Sequence, residues 1–440
     1  MAKIGFISLG CPKNQVDAEL MLDKLVKAGH ELVDCAAGAD AVIINTCGFI
    51  DAAKQEAIDN ILEMGELKAA GDIGKIIVTG CLAERYGEEI AKELPEADAV
   101  CGIGANADIV SVVEKTLAGE RQGIFPPKDA LPLCGERLLT SDEWWAYIKI
   151  SEGCSNRCTY CAIPDIRGPF RSRPAGSVIA EAKELAARGV KELIVIAQDT
   201  TRYGEDFAGK PQLAPLLKEL EKIDGIRWIR LLYCYPDRLT DELLETMRDS
   251  NKILHYIDLP LQHADGRILK AMNRHGDSES LLKLIEKIRS YIPDCVIRTT
   301  FITGFPGEDD EAFETLSDFV EKACFDRLGC FAYSREEGTV AAEMEGQVDP
   351  EVAVHRGEII MEQQYGIFTD RQNDLIGEVV ECVVEGYDEE AGCFIGRTWM
   401  DAPEIDSAIS IIGGGLEPGQ FVNVEITGTE DYDLIGEITD

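Results

Sequence analysis

Short apolar runs alternate with stretches of helical period through most of this 440-residue chain, and that alternation leaves few folds open. A strand apolar on both faces must be covered on both, which a parallel sheet with helices on either side achieves. The first series reads IGFISL, a helix from Asn14 to Ala28 closed by Gly29, AVIIN, a helix from Asp51 to Met64 closed by Gly65, KIIVTG, and a helix from Ala83. It predicts an N-terminal doubly wound α/β domain over residues 1–120.

Residues 121–139 hold Pro126, Pro127 and Pro132 without a sustained period and read as a linker. A second series follows over residues 140–371. Its apolar runs are Ala146 to Ile150, Leu193 to Ala197, Trp228 to Leu232, His255 to Leu259, Cys295 to Ile302 and Leu328 to Tyr333. Six such units predict a partial (βα)6 barrel with its site at the carboxyl ends of the strands. A helix from Pro350 to about Arg371 leads into residues 372–440, where short strands separated by Gly, Pro and acidic turns predict a small antiparallel, OB-like β-barrel.

The chain carries 43 Lys and Arg against 81 Asp and Glu, a formal charge of −38. Such a field repels phosphate backbones, so direct nucleic-acid binding is not expected, and it attracts basic partners. No run approaches the roughly 18 apolar residues of a membrane span. Leu9-Gly10-Cys11 imitates a lipoprotein cleavage site, but the apolar run before it is minimal and a helical pattern follows at once, so it reads as a first strand. Fifteen cysteines then suit a reducing compartment, the cytoplasm, where thiols serve metals or catalysis.

Cys154, Cys158 and Cys161 form C-x3-C-x2-C directly after the first strand of the second series. Three thiolates from one tight loop can hold three irons of a 4Fe-4S cluster and leave the fourth open to a cofactor or substrate. A structural zinc would want a fourth ligand, and no matching dyad follows. This motif, with Tyr160 before its last cysteine, resembles the radical S-adenosylmethionine superfamily. The resemblance implies that S-adenosylmethionine chelates the open iron and is cleaved reductively to a 5′-deoxyadenosyl radical, with an external electron donor.

Cys11, Cys47 and Cys81 stand in LGCPKN, INTCGF and VTGCLAE, each just after an apolar run. Loops at the carboxyl ends of parallel strands converge on one sheet edge, so these three thiols can meet around a second 4Fe-4S cluster. The competing reading is buried packing, which is common for cysteine, and Cys101 also lies near a strand end. Cys35, Cys101, Cys134, Cys234, Cys295, Cys324, Cys330, Cys382 and Cys393 are assigned to packing.

The order of these parts, with the motifs CTYCAIPDIRGPFRSR, AQDTTRYG, LPLQHADGRILKAMNR and RTTFITGFPGE, resembles the methylthiotransferases from end to end. The resemblance implies an auxiliary cluster that takes part in sulfur insertion and a last barrel, a TRAM domain, that recognises the substrate. One S-adenosylmethionine would methylate sulfur at the auxiliary cluster, and a second would supply the radical that opens the target C–H bond. The family divides into enzymes of tRNA adenosines and the RimO type, which modifies the β-carbon of an aspartate in small-subunit ribosomal protein twelve. From Asn373 to Asp440 there are seventeen acids and one base, Arg397. An RNA-gripping barrel should be cationic, so the RimO type is expected, with a basic ribosomal protein docking on the acidic barrel. The alternatives are a tRNA methylthiotransferase and an iron-sulfur electron carrier.

Gln198, Asp199, Gln262 and His263 end strands and so belong at the barrel mouth. Gly304 and Pro306, in ITGFPGE, line the S-adenosylmethionine site by resemblance, although a tight turn alone would explain the glycines. With Tyr160, Arg298 and Phe331 these residues, His263 apart, make up the expected cofactor site. His263 reads as a polar residue satisfying nearby backbone rather than a base, and no histidine is expected as a metal ligand. Arg157, Arg167, Arg171 and Arg173, opposed in sequence only by Asp165, form a basic island suited to a carboxylate.

Overall fold

In the computed structural model, which describes residues 1–439, the first series forms a six-stranded parallel sheet. Its strands are β1 (Lys3–Ser8), β2 (Glu31–Val33), β3 (Ala41–Thr46), β4 (Lys75–Gly80), β5 (Ala99–Cys101) and β6 (Gln122–Ile124), in the spatial order β2-β1-β3-β4-β5-β6. Connections leave the β1–β3 pair in opposite directions, so the sheet has its topological switch point there. Every residue of β3 is buried, as a strand covered on both faces requires.

Three boundaries depart from the sequence pattern. The helix expected to stop at Gly65 runs Asp51–Ala70 and ends at Gly71, whose φ is 86°. Gly65 lies within it because a Cβ there would come within 2.5 Å of the Glu96 side chain. Strands β2 and β5, three residues each, are too short to show a period. Gln122–Ile124 lies inside the expected linker yet pairs with β5 as an edge strand of the sheet. The rest of the linker is pinned by Arg137, which is buried between Glu19 (2.8 Å) and Glu181 (2.7 Å).

The second series supplies β7 (Trp145–Lys149), β8 (Ser151–Glu152), β9 (Arg171–Ser172), β10 (Glu192–Ile196), β11 (Trp228–Leu231), β12 (Ile253–Asp258), β13 (Val296–Thr303) and β14 (Arg327–Ala332). Six of these form an open parallel sheet in the order β14-β13-β12-β11-β10-β7, and β8 and β9 make a separate antiparallel ribbon. One face of the sheet, through Ile148, Val195, Leu231, Ile257 and Phe301, buries against its helices. The alternate residues Trp145, Tyr147, Ile194, Trp228 and Tyr256 bury against the last domain.

That domain is a closed barrel of β15 (Val379–Asp388), β16 (Cys393–Thr398), β17 (Ile409–Ile412), β18 (Phe421–Glu430) and β19 (Asp433–Ile438). It is not wholly antiparallel, because β17 and β19 run parallel. Five is odd, so strand directions cannot alternate all the way round a closed ring and one neighbouring pair must be parallel. Nor is the barrel a tethered module. Val383, Met400, Ile411 and Val424 share a core with the central sheet, and Arg397 bridges Glu192 (2.6 Å) and Glu385 (3.0 Å) across the seam. Among the described residues no helix is long and apolar enough to cross a membrane.

Candidate functional site

The loops after β1, β3 and β4 meet at the switch point and bring Cys11, Cys47 and Cys81 together. Cys11 caps the helix Pro12–Lys27 and Cys81 opens the helix Cys81–Glu93. The turn before Cys81 requires glycine, because Gly80 has φ 97° and a Cβ there would lie 2.4 Å from the Thr46 carbonyl oxygen. Asn14 ties the three loops. It donates to the carbonyls of Leu9 (2.8 Å) and Thr46 (3.1 Å), and its Oδ1 lies 4.0 Å from the Cys81 thiol.

Charge sorts these thiols. Burial raises Cys11, but Lys13, Arg167 and the helix N–H groups outweigh it, so Cys11 ionises below the ordinary cysteine value. Burial pushes Cys47 up, and Cys81 up to about 12, despite Arg167 Nη2 lying 3.4 Å from the Cys81 sulfur.

Cys154, Cys158 and Cys161 lie on the loop that follows β8. Its backbone is anchored by Cys154 N–H to the Gly168 carbonyl (3.1 Å), by Thr159 N–H to that of Met272 (3.1 Å), and by Asn273 Nδ2 to those of Asn156 and Arg157. Arg274 approaches the Cys158 sulfur at 3.9 Å, donates to the Pro260 carbonyl, and lies over the Tyr235 ring. Burial raises Cys154 to about 11 and Cys161 further. A metal takes the thiolate, so loading either group must release protons. Among the described residues no three His, Cys, Asp or Glu converge tightly enough to share one ion.

The two groups adjoin. Cys81 packs against Ala162, the residue after Cys161, and against Ile166. Arg167, 1% exposed, donates to Asn14 Oδ1 (2.9 Å), Asp17 (2.5 Å) and Glu152 (3.3 Å). Lys149 pairs with the same two carboxylates. Glu152 also accepts from Gly153 N–H and Gln198 Nε2, both at 2.9 Å. Burial opposes its ionisation, yet Lys149 and Arg167 hold its carboxyl down to about 2.

The remaining expected residues divide. Asp199, 1% exposed, holds the cluster loop through Asn156 Nδ2 (2.8 Å). Gln198 keeps a buried Oε1 without a partner. Gln262 takes φ 73° and bridges to Phe301, and Tyr160 packs with Phe305 and Met272. Gly304 has a structural reason of its own, since a Cβ there would lie 2.1 Å from that of Ala353 on the helix Pro350–Asp374. Pro306 is buried in the same turn. Arg298 is engaged elsewhere, paired with Asp258 (3.0 Å) and with Asp406 of the barrel (3.4 Å), and Phe331 is 59% exposed. His263 is buried, with Nε2 on Glu308 and Nδ1 accepting from Asp265 N–H, the polar role expected.

The basic island does not exist as a group. Arg167 and Arg173 are buried against carboxylates outside the motif, Asp17 and Glu152 for one and Glu181 for the other. Arg171 donates to the carbonyls of Asp129 and Lys128, and Arg157 is exposed. Cys35 and Cys134 are also exposed, on loops, so neither packs a core; Cys101 is buried as expected. Missed in the sequence were Lys13, Asn14, Asp17, Lys149, Glu152, Tyr233, Tyr235 and Arg274. Lys149 and Glu152, charged residues at the end of an apolar strand run, carried the one legible signal.

The chain matches the radical SAM superfamily over residues 148–320, the family UPF0004 over residues 3–102 and the TRAM domain over residues 376–439. Among solved structures it is similar to the radical S-adenosylmethionine methyltransferase TsrM of Kitasatospora setae, with a TM-score of 0.57 at 14% identity, covering 75% of this chain and 73% of that one. That likeness concerns the fold. Among curated proteins it is 48% identical to the ribosomal protein uS12 methylthiotransferase RimO of Lachnoclostridium phytofermentans, over 99% of both chains. It is 47% identical to that of Geobacter sulfurreducens over 99% of this chain and 98% of the relative. Near-half identity over 99% of this chain means that it belongs to the RimO family of ribosomal protein uS12 methylthiotransferases, within the radical SAM superfamily.

Proposed function

We propose that this protein adds a methylthio group to the β-carbon of an aspartate in ribosomal protein uS12, using S-adenosylmethionine and two 4Fe-4S clusters. Cys154, Cys158 and Cys161 hold one cluster, and Cys11, Cys47 and Cys81 hold the other. The observation that carries this reading is the adjacency of the two thiol groups, joined by the buried Arg167, Asp17, Lys149 and Glu152 network. When bound, the cofactors would supply a methyl group and, by reductive cleavage of S-adenosylmethionine, a radical able to remove hydrogen from an unactivated C–H bond.

The protein's own residues position and shield. Asp199, through Asn156, holds the loop that carries Cys154 and Cys158. Arg274 steadies Cys158 against Tyr235. Gln198, held by Glu152, offers its free Oε1 to a bound donor. Tyr160, Met272 and Phe305 exclude water on one side. An external electron donor supplies the reducing equivalents.

The barrel supplies recognition. Its single base, Arg397, is 2% exposed and lies in the seam. Four acids, Glu381, Glu385, Asp401 and Asp406, are bound to central-domain arginines or to Arg397. The exposed acids, among them Glu389, Glu390, Glu417, Glu425, Glu430 and Glu437, face solvent without a cation of their own domain. That surface suits a Lys- and Arg-rich ribosomal protein and opposes tRNA.

Mass spectrometry of uS12 and of tRNA from a deletion strain tests the reading. Loss of the methylthio modification from uS12 alone supports it, and loss from tRNA alone defeats it. Alanine at Cys154, Cys158 or Cys161 should abolish 5′-deoxyadenosine formation, whereas alanine at Cys11, Cys47 or Cys81 should spare some of it and stop thiolation.

A further inference from the structure

We propose that Glu336 is a positioning residue: from the loop after β14 it clamps the N-terminal domain onto the central one and fixes how far apart the two thiol groups stand. This deepens the reading above, and rests on it, because there both groups serve one target carbon.

Glu336 is 2% exposed. Its carboxylate accepts from Lys54 Nζ and Arg85 Nη1, both at 2.9 Å, and from the Ser334 hydroxyl at 2.7 Å. Lys54 lies on the helix Asp51–Ala70 and Arg85 on the helix Cys81–Glu93, so both cations come from the N-terminal domain. Arg85, about one helical turn past Cys81, also donates to the carbonyl of Gly48 (3.0 Å), the residue after Cys47, and to that of Glu337. Gly48 is packed so closely on the same helix that a Cβ there would lie 2.7 Å from the Leu82 backbone. One guanidinium thus ties the Glu336 loop to the segments that carry Cys47 and Cys81.

The same loop reaches the other thiol group. Glu336–Thr339 forms a turn, closed by Thr339 N–H on the Glu336 carbonyl (3.2 Å), whose third residue, Gly338, takes φ 78°. Two residues on, Ala341 N–H donates to the carbonyl of Thr159 (2.9 Å), which follows Cys158. Residues 336–341 therefore run from a contact beside Cys47 to one beside Cys158.

The place of this clamp on the sheet gives it leverage. Strands β14 and β7 are opposite edges of the central sheet. Near β7, Lys149 and Arg167 already hold Asp17 of the N-terminal domain. One attachment leaves a domain free to turn about it, whereas a second at the far edge fixes its angle. A buried carboxylate is costly without cations, and those of Glu336 arrive only when the two domains close. Misplacing reacting groups by about 1 Å can cost on the order of 10²-fold in rate, so loss of the clamp should spare radical formation and waste its product.

The test compares full-length, cluster-reconstituted wild type, Glu336→Gln, and the double variant Arg85→Met with Glu336→Met. The double variant leaves no unpaired charge, since Lys54 keeps Asp51. Each receives S-adenosylmethionine, sulfide, dithionite and isolated uS12, and mass spectrometry counts methylthiolated uS12 per 5′-deoxyadenosine formed. Both variants should form 5′-deoxyadenosine near the wild-type rate, with the ratio lowered about tenfold or more. In the cluster-free proteins, hydrogen exchange of residues 47–52 and 336–341 should quicken about tenfold while that of β3 is unchanged. An unchanged ratio overturns the assignment. So does recovery of the ratio in the double variant, which a merely structural ion pair would give, or a fall in iron content that accounts for the lost product, or unchanged exchange. If wild type cleaves S-adenosylmethionine but leaves uS12 unmodified, the uS12 reading falls, and the exchange measurement alone decides the clamp.

Discussion

Replacing Arg167 with Met would test the junction between the two thiol groups. Arg167 and Lys149 face Asp17 and Glu152, and all four side chains are 1% exposed or less. Two cations balance two anions, so removing one guanidinium leaves two buried carboxylates to share one ammonium. Breaking a buried pair in this way costs about 3–5 kcal/mol. At about 2–4 °C per kcal/mol for a unit of 150–250 residues, the melting temperature should fall by roughly 6–20 °C. Adding Asp17→Asn returns the cluster to one cation and one anion, and should recover most of the loss, although each change alone destabilises. Thermal unfolding of the cluster-free protein at neutral pH, followed by circular dichroism, measures this without interference from lost iron. A fall of less than about 2 °C in Arg167→Met, or a double variant less stable than Arg167→Met, would refute the charge-balance argument.

Gly304→Ala should destabilise the central domain by about 2–4 kcal/mol, through its positive φ and the contact with Ala353; a denaturant midpoint equal to wild type would contradict this. Burial raises Glu192, but Arg397 and Arg230 hold it below its usual 4.5. Its contribution to the barrel seam is therefore complete above about 4.5 and is lost as pH falls through the lowered folded value. Hydrogen exchange in β16 should accelerate on acidification through that window, and Glu192→Gln should flatten the dependence. Reversing Glu389, Glu390, Glu425 and Glu437 to Lys should weaken binding of isolated uS12 at low salt, as measured by anisotropy. Unchanged affinity there would remove the barrel from recognition.

The longer strands of both parallel sheets were legible because doubly covered strands are largely apolar, and Ala41–Thr46 and Glu192–Ile196 are buried throughout, whereas the three-residue β2, β5 and β6 were not. The convergence of Cys11, Cys47 and Cys81 was legible for a related reason, since each follows a strand whose carboxyl end a parallel sheet must gather, whereas Cys154, Cys158 and Cys161 share one loop by their spacing alone. Arg167 was misread. Its partners Asp17 and Glu152 are 150 and 15 residues away in sequence, and a count of nearby charges cannot see the first. The barrel was legible from its turns, but not its docking, because Trp145 and Tyr147 look like ordinary strand residues until the opposite face is known.

Local periodicity thus indicated the two parallel sheets and the last barrel, because burial pattern is written at every second or fourth residue, and strand-end position indicated that Cys11, Cys47 and Cys81 converge. The tertiary structure alone decided which charges neutralise which. Ion pairing depends on distance in space, and only the assembled fold shows that Arg167 and Lys149 are satisfied by Asp17 and Glu152.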